Sequence, residues 1–455
     1  MNIRLVPDKQ WFRSKKGNGV LAGSPLTYFG VTDAGIKILD AIETNSELPP
    51  NHAQLTDRLL ATGGVHPLLK HSANPSDITV VIPAFVTNEY AHAILTELVA
   101  GLSGLSIIVV DDASPFTVTL PGTHVIRLEE NSGPSVARNT GIAAVTTRLV
   151  ACIDADAVVT TKQILSLGAY LDDSRVGLVA PRIICTPDRT FLNEFESHHS
   201  PLDLGETQAL IRPMSRVSYV PAAVIVCNAE SLRTVGLFDE SMRLGEDVDI
   251  VWRMIVAGTW CRYVPAIECV HRSRQSIRGM LKQRFDYGTS AASLDQRHPR
   301  AATPLRAHAL LLAAASALLM GYIYLAFVLG VLTMAYFVVS LRSTSLPVKV
   351  RTQLAWKGLA STTRLLADAV MRAWWPIFFV ASLVSIRLGA MLTFSALVPP
   401  IVGLVRHKPG HPIRYLVMCV LEDVAYGTGV WVGALRARSL RCLLPVITVR
   451  RSVVR

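Results

Sequence analysis

Two carboxylates one residue apart, Asp154 and Asp156, leave the apolar run Leu149-Val-Ala-Cys-Ile153 on its way into a loop. In an extended segment side chains i and i+2 point the same way, so this pair can hold a hard divalent cation, Mn2+ or Mg2+, against a diphosphate. A solvated turn is the competing reading, and the apolar Ala157-Val-Val159 that follows argues against it. A second acidic group, Gly245-Glu246-Asp247-Val-Asp249, is followed by Trp252-Arg253 and preceded by Gly236-Leu-Phe-Asp-Glu240. Asp247, with Glu246 beside it, is the candidate base for the proton of an attacking hydroxyl. The alternative is an acidic helix start favoured by the helix dipole alone. In Asn131-Ser-Gly-Pro-Ser-Val-Ala-Arg-Asn139, turn formers run into a helix whose free amides and Arg138 could meet a phosphate or a base edge, or simply make a capped helix. His271, after the apolar run Tyr263–Val270, is either a further metal ligand or a structural histidine.

Such groups need a scaffold that brings distant stretches together. Buried-looking apolar runs occur at Ile78–Pro83, Ser106–Val110, Val125–Leu128, Leu149–Ile153 and Gly177–Ala180, mostly separated by helix-compatible segments. That alternation predicts an α/β fold with a mainly parallel sheet covered by helices. Asp111-Asp112 and Asp154-Ala-Asp156 fall just past strand ends, where open α/β sheets bind ligands. No GxGxxG follows Ile78–Pro83, which argues against a nicotinamide dehydrogenase.

The order of these pieces carries a resemblance. Val80-Val-Ile-Pro83-Ala84, Val110-Asp111-Asp112-Ala-Ser114, Asn131 to Arg138-Asn139, Asp154-Ala-Asp156 and Gly245-Glu246-Asp247 are similar, step by step, to the family-2 glycosyltransferases of the GT-A fold. The resemblance implies a nucleotide-sugar site at Pro83, Asp111, Asp112, Arg138, Asn139 and Asp154. One of Asp111 and Asp112 would accept the N3–H of a pyrimidine. It implies Mn2+ or Mg2+ on Asp156, with Asp154 and His271 as further metal ligands, and Asp247 as base with Glu246 at its side. Inverting transfer needs such a base to take the acceptor's proton as the nucleoside diphosphate departs.

A closer resemblance lies in Ser200-Pro-Leu-Asp-Leu-Gly205, Val217-Ser-Tyr-Val-Pro221, Asp286-Tyr-Gly-Thr-Ser-Ala-Ala292 with Arg297-His-Pro299, and Glu422-Asp-Val-Ala-Tyr-Gly-Thr-Gly429. Together these resemble the glycosyltransferases of the mycofactocin system over nearly the whole chain. The implied donor is UDP-glucose. The implied acceptor is a peptide-derived redox cofactor or its precursor, and residues 1–72 would form a PqqD-like module that binds peptide. Processive relatives carry QxxRW, whereas this chain has Gln283-Arg-Phe285 without the tryptophan, so a short oligosaccharide is expected rather than an exported polymer. The rivals are transfer of rhamnose, galactose or mannose to a lipid-linked cell-wall glycan, and a non-catalytic peptide-binding scaffold.

Charge divides the chain. From Arg300 onward 18 Lys/Arg face only Asp368, Glu422 and Asp423, while the part before it holds 27 against 31. A basic, apolar tail suits the anionic inner face of a membrane better than nucleic acid, which is not expected as a partner. The run Ala309–Leu341 would be roughly 50 Å long as one helix against a hydrocarbon core of about 30 Å, so one tilted span or a tight hairpin fits. Its basic flanks favour both ends facing the cytosol. Ile377–Val398 is a second candidate, interrupted by Arg387, and Arg351–Arg372 has the pattern of a helix lying in the interface. The N-terminus is too polar for a secretory signal, and the seven scattered cysteines read as reduced core residues. The expected organisation is a small α+β module at 1–72, a GT-A domain at 73–298 and a membrane-associated helical region at 299–455, with the catalytic domain facing the cytoplasm.

Overall fold

The structure, a computed structural model, describes residues 4–185, 190–272 and 276–449. They group into two compact units, one of residues 4–9, 23–25 and 40–272, the other of 10–22, 26–39 and 276–449. Residues 1–72 thus contribute to both. Strand β1 (Arg4–Pro7) and, after helix α2 (Ala53–Thr62), strand β5 (Val65–Leu68) form an antiparallel pair in the first unit. Strands β2 (Phe12–Arg13), β3 (Gly19–Ala22) and β4 (Thr27–Gly30) form a meander in the second, ahead of helix α1 (Asp33–Glu43).

The first unit is built on a nine-stranded sheet. Its parallel half joins β6 (Ile78–Ala84), β7 (Ser106–Asp111), β8 (His124–Arg127) and β9 (Leu149–Ile153), in the order β9-β6-β7-β8. Strand β9 is a continuous apolar run and β6 is one but for Thr79, and both are almost wholly buried as central parallel strands require. Helices α3 (Glu89–Gly101), α4 (Pro134–Ala143) and α5 (Thr161–Gly168) fall between these strands or after them. Two polar starts are visible locally: Asn88 accepts the Ala91 amide at 2.9 Å to begin α3, and Thr160 with Gln163 makes a capping box on α5. The sheet continues through β13 (Val224–Asn228), antiparallel to β9, then β11 (Val176–Cys185), β14 (Trp260–His271), and the short β10 (Ala157–Val158) and β12 (Ala209–Leu210), both antiparallel to β14. Helices α6 (Phe191–His199), α7 (Ala229–Thr234) and α8 (Glu246–Val256) complete the unit. This is the expected GT-A architecture, a mixed sheet whose strand ends meet over one side.

In the second unit, helices α9 (Ile277–Thr289) and α10 (Ala291–Arg297) and strand β15 (Arg306–His308) lead into an apolar array. The run from Ala309 is a helix pair, α11 (Ala309–Met320) and α12 (Ile323–Ser340), broken at Gly321, whose φ of 90° caps α11. Helix α13 (Val348–Ala369) continues through a π turn at Val370–Trp374 into α14 (Trp375–Ser382); α15 (Ile386–His407), α16 (Pro412–Arg436) and strand β16 (Val446–Thr448) follow. Ile323–Thr344, Val348–Ser382, Ile386–His407 and Pro412–Arg436 are each long and apolar enough to cross a membrane. The segment expected to lie in the interface thus belongs to a helix long enough to span. Arg387 is not in the middle of a span: it begins α15 and donates to the Met320 carbonyl at 2.8 Å, meeting the negative end of α11.

The stretches Asp286–Ala292 and Glu422–Gly429 acquire a physical reason in this unit. Helices α9 and α16 cross with almost no side chain between them: a Cβ on Gly288 would fall 2.1 Å from the Tyr426 carbonyl, and one on Gly429 would fall 2.0 Å from that of Phe285. Arg284, buried, pairs with Glu422 at 3.2 Å in the same contact. Gly429→Leu is therefore expected to prise the helices apart, lowering both detergent-extracted yield and melting temperature by several degrees. An unchanged melting curve would contradict this packing.

Candidate active site

Local hydrogen bonding shapes the DxD turn. Strand β9 ends at Ile153, the Asp154 amide donates to the Ala223 carbonyl at 2.9 Å, and the Ala157 amide closes back on the Asp154 carbonyl at 3.0 Å. The chain then enters β10, where Ala157 stands opposite His271 of β14. That pairing brings together residues more than a hundred positions apart: Asp156 and His271 Nε2 are 3.0 Å apart. Asp154, Asp156 and His271 can each offer one ligand atom, all within 4.8 Å of one another. Two carboxylate oxygens and an imidazole nitrogen, partly exposed, fit a divalent cation such as Mn2+ or Mg2+.

Arg138 lies directly behind. It leaves α4 buried, 3% exposed, with Nη2 donating to Asp154 at 2.7 Å and Nη1 to Glu246 at 2.9 Å, above the Phe238 ring at 5.3 Å. Expected to line a nucleotide, it is a fork that ties the DxD turn to the start of α8. Burial alone would weaken its charge, but the two carboxylates outweigh that and hold it firmly protonated. Asn139, the next residue, donates to the Phe238 carbonyl at 2.8 Å and to Glu240 at 2.9 Å and accepts the Phe238 amide at 3.0 Å. It holds in place the loop that precedes the acidic group.

Asp111 and Asp112 are buried at the end of β7 with their carboxylates engaged. Asp111 accepts the Ser114 amide at 2.9 Å and pairs with Arg127, at the matching position of β8. Asp112 accepts the amides of Ser132 at 2.7 Å and Gly133 at 2.9 Å, pinning the entry to α4, where Gly133 adopts φ 91°. Each oxygen retains a lone pair for a ligand. Pro83 sits on β6 opposite Val110, partly buried at the same end of the sheet.

Helix α8 opens the second half of the site. Gly245, at φ 79°, turns the chain so that Glu246 points to Arg138. Asp247 is partly exposed and accepts backbone hydrogen bonds from Val248, at 2.8 Å, and Ala222. Burial first, then the neighbouring Glu246 charge, push its carboxyl up to about 7, the range in which a group both accepts and releases a proton near neutrality. Asp249 is fully buried and accepts Arg253 Nε at 2.7 Å, while Arg253 also donates to the Leu237 carbonyl at 2.6 Å. The acidic run thus splits into a partner of Arg138, a carboxyl near neutrality, and a structural anchor. Arg127 escaped sequence reasoning, and Phe238 and Arg253 stood in the quoted segments with no role assigned, although Arg253 lies at i+4 from Asp249.

A family model described as Glycosyl transferase family 2 matches residues 79–232. The Pre-mycofactocin glycosyltransferases of Mycobacterium tuberculosis, from strains CDC 1551 / Oshkosh and ATCC 25618 / H37Rv, are 35% identical over 459 aligned positions, covering 95% of this chain and 95% of theirs. Succinoglycan biosynthesis protein ExoO of Rhizobium meliloti (strain 1021) is 26% identical over 45% of this chain and 64% of its own. Among solved structures, the mannosyltransferase PcManGT from Pyrobaculum calidifontis in complex with GDP-Man and Mn2+ aligns with TM-score 0.42 and 14% identity, over 84% of this chain and 94% of that one.

Proposed function

Since this chain belongs to the family-2 glycosyltransferases and, among them, to the Pre-mycofactocin glycosyltransferase family, we propose that it transfers a hexose, glucose foremost, from a UDP-sugar to mycofactocin or its precursor. Transfer inverts the sugar and builds a short oligosaccharide. The observation that carries this reading is that the likeness to those relatives extends over 95% of the chain, beyond the 79–232 matched to the wider family.

In this reading Asp154, Asp156 and His271 hold the divalent cation, which supplies positive charge against the diphosphate. Pro83, Asp111 and Asp112 shape the nucleotide site, Asn139 holds the Phe238–Glu240 loop beside it, and Arg138 keeps Asp154 and Glu246 in register. Asp247 takes the acceptor hydroxyl's proton as that oxygen bonds the anomeric carbon and the bond to the nucleoside diphosphate breaks. Glu246, beside it, raises its basicity. Residues 1–72 receive the peptide-derived acceptor, 73–298 carry the chemistry, and 299–455 hold the enzyme at the inner face of the membrane.

Incubating the purified chain with UDP-glucose and the cofactor precursor should add hexose units detectable by mass spectrometry. Addition only to a lipid-linked glycan acceptor would replace this reading by its rival, and absence of both transfer and donor hydrolysis would favour a scaffold. A separate expectation concerns residues 300–455. Fused to a soluble reporter they should carry it to membranes, whereas residues 73–298 should not; a tail fusion that stays soluble at low salt would contradict it.

A further inference from the structure

On the sheet face covered by the end of α2 and by β5, well along β14 from His271, lies Arg262. It is 1% exposed, stands opposite Val179 of β11 and Leu210 of β12, and its buried Nη1 has no hydrogen-bond partner among the described residues. Its guanidinium carbon lies 5.6 Å from the centroid of the Trp260 ring. Gln208, two residues before Leu210 and so on the same face of the extended chain, has a buried Nε2 with no hydrogen-bond partner. From the covering layer His66 Nδ1 is likewise buried without a partner. The layer is tight: a Cβ on Gly63 would sit 3.3 Å from that of Leu210.

The nearby carboxylates are already committed. Asp173 binds Arg175 through both oxygens at 2.8 Å, and Asp57 meets the same guanidinium at 2.9 Å. Asp8 accepts Arg216 at 3.0 and 2.9 Å and His66 Nε2 at 3.1 Å. A guanidinium carries donors only, and burying one with no acceptor is heavily penalised.

We propose that Arg262, Gln208 and His66 form a binding site for a small anion, halide or oxyanion, which pins the α2–β5 layer to the transferase sheet. Burial pushes the Arg262 guanidinium down to about 10, and burial also lowers His66, so a counter-ion would relieve both groups together. Taking up a proton, His66 bridges Asp8 and the anion with its two ring nitrogens. A lone water, accepting from Arg262 and donating to His66, is the competing occupant; it leaves the charge uncompensated. This site is independent of the donor and acceptor assigned above.

The test uses the full chain in detergent, exchanged into sodium gluconate. At fixed ionic strength, sodium bromide, chloride or phosphate is titrated while the melting temperature is followed, and crystals soaked in bromide are examined for anomalous scattering. A saturable rise with at least one of these anions, lost in Arg262→Met, is expected; which anion acts separates halide from oxyanion. Should Arg262→Met fail to fold, Gln208→Leu is expected to weaken the anion midpoint at least several-fold. A bromide peak beside Arg262 gives independent support. Melting indifferent to all three anions, with water density and no anomalous peak at Arg262, would overturn the proposal.

Discussion

Replacing Asp247 with asparagine is expected to leave UDP binding within a few-fold of wild type while hexose transfer falls by about 10²–10⁴, mainly in kcat. The amide matches the carboxyl in shape and keeps an oxygen for the Val248 and Ala222 backbone donors, but it cannot take a proton. If Asp247 were only a helix start, asparagine would cap nearly as well and turnover would barely change. The pH profile gives a second readout. With the carboxyl titrating at about 7, wild-type kcat/KM should rise with pH through that region and level off above it. The residual activity of Asp247→Asn should lack that limb. Stability should move the other way: a carboxyl raised above its unfolded value of 3.8 makes the native state lose stability as pH rises from about 4 to about 7. Asp247→Asn should therefore melt higher than wild type at pH 8 and no higher at pH 4. Near-normal transfer by this variant would move the catalytic assignment to Asp239 or Glu240, because Asp249 is buried against Arg253.

Asp156→Ala is expected to abolish saturable Mn2+ binding and to lower turnover by about 10²–10³, the usual scale for losing charge stabilisation at a departing oxyanion. Of the three ligand candidates, Asp156 is the most open, with its side chain 38% exposed, and it meets His271 directly. Asp154 shares its carboxylate with Arg138, so it cannot replace the lost charge alone. Free Mn2+ measured by electron paramagnetic resonance separates loss of the cation from loss of fold, since melting should change little at so exposed a position. Full wild-type activity in EDTA would refute the metal assignment. An Asp156→Ala enzyme with undiminished Mn2+ binding would relocate the cation.

Much of the site was legible because its motifs are local. A carboxylate pair at the end of an apolar strand, and glycine before an acidic helix start, follow from alternation, turn chemistry and the helix dipole over a few residues. The partnerships were not legible. Arg138 reads as a nucleotide contact in its own segment, and its fork between Asp154 and Glu246 depends on α4 and α8 converging over the end of β9. Asn139 likewise reads as a polar ligand and is spent on the Phe238–Glu240 loop.

In the apolar half, sequence determined that the tail is helical, basic and long enough to reach through a bilayer, since hydropathy and charge add along the chain. Where the helices break depended on single contacts, such as Gly321 turning at φ 90° and Arg387 closing on the Met320 carbonyl. In the same way, composition and motif order determined the α/β class and the candidates for base, cation and nucleotide. Only the tertiary structure decided that His271 meets Asp156, through the antiparallel pairing of β10 with β14. It also decided that Asp247 has a carboxyl poised near neutrality. The physical reason is common to both: a carboxylate's role is set by its desolvation and its charged neighbours, and those come from strands and helices far apart in sequence.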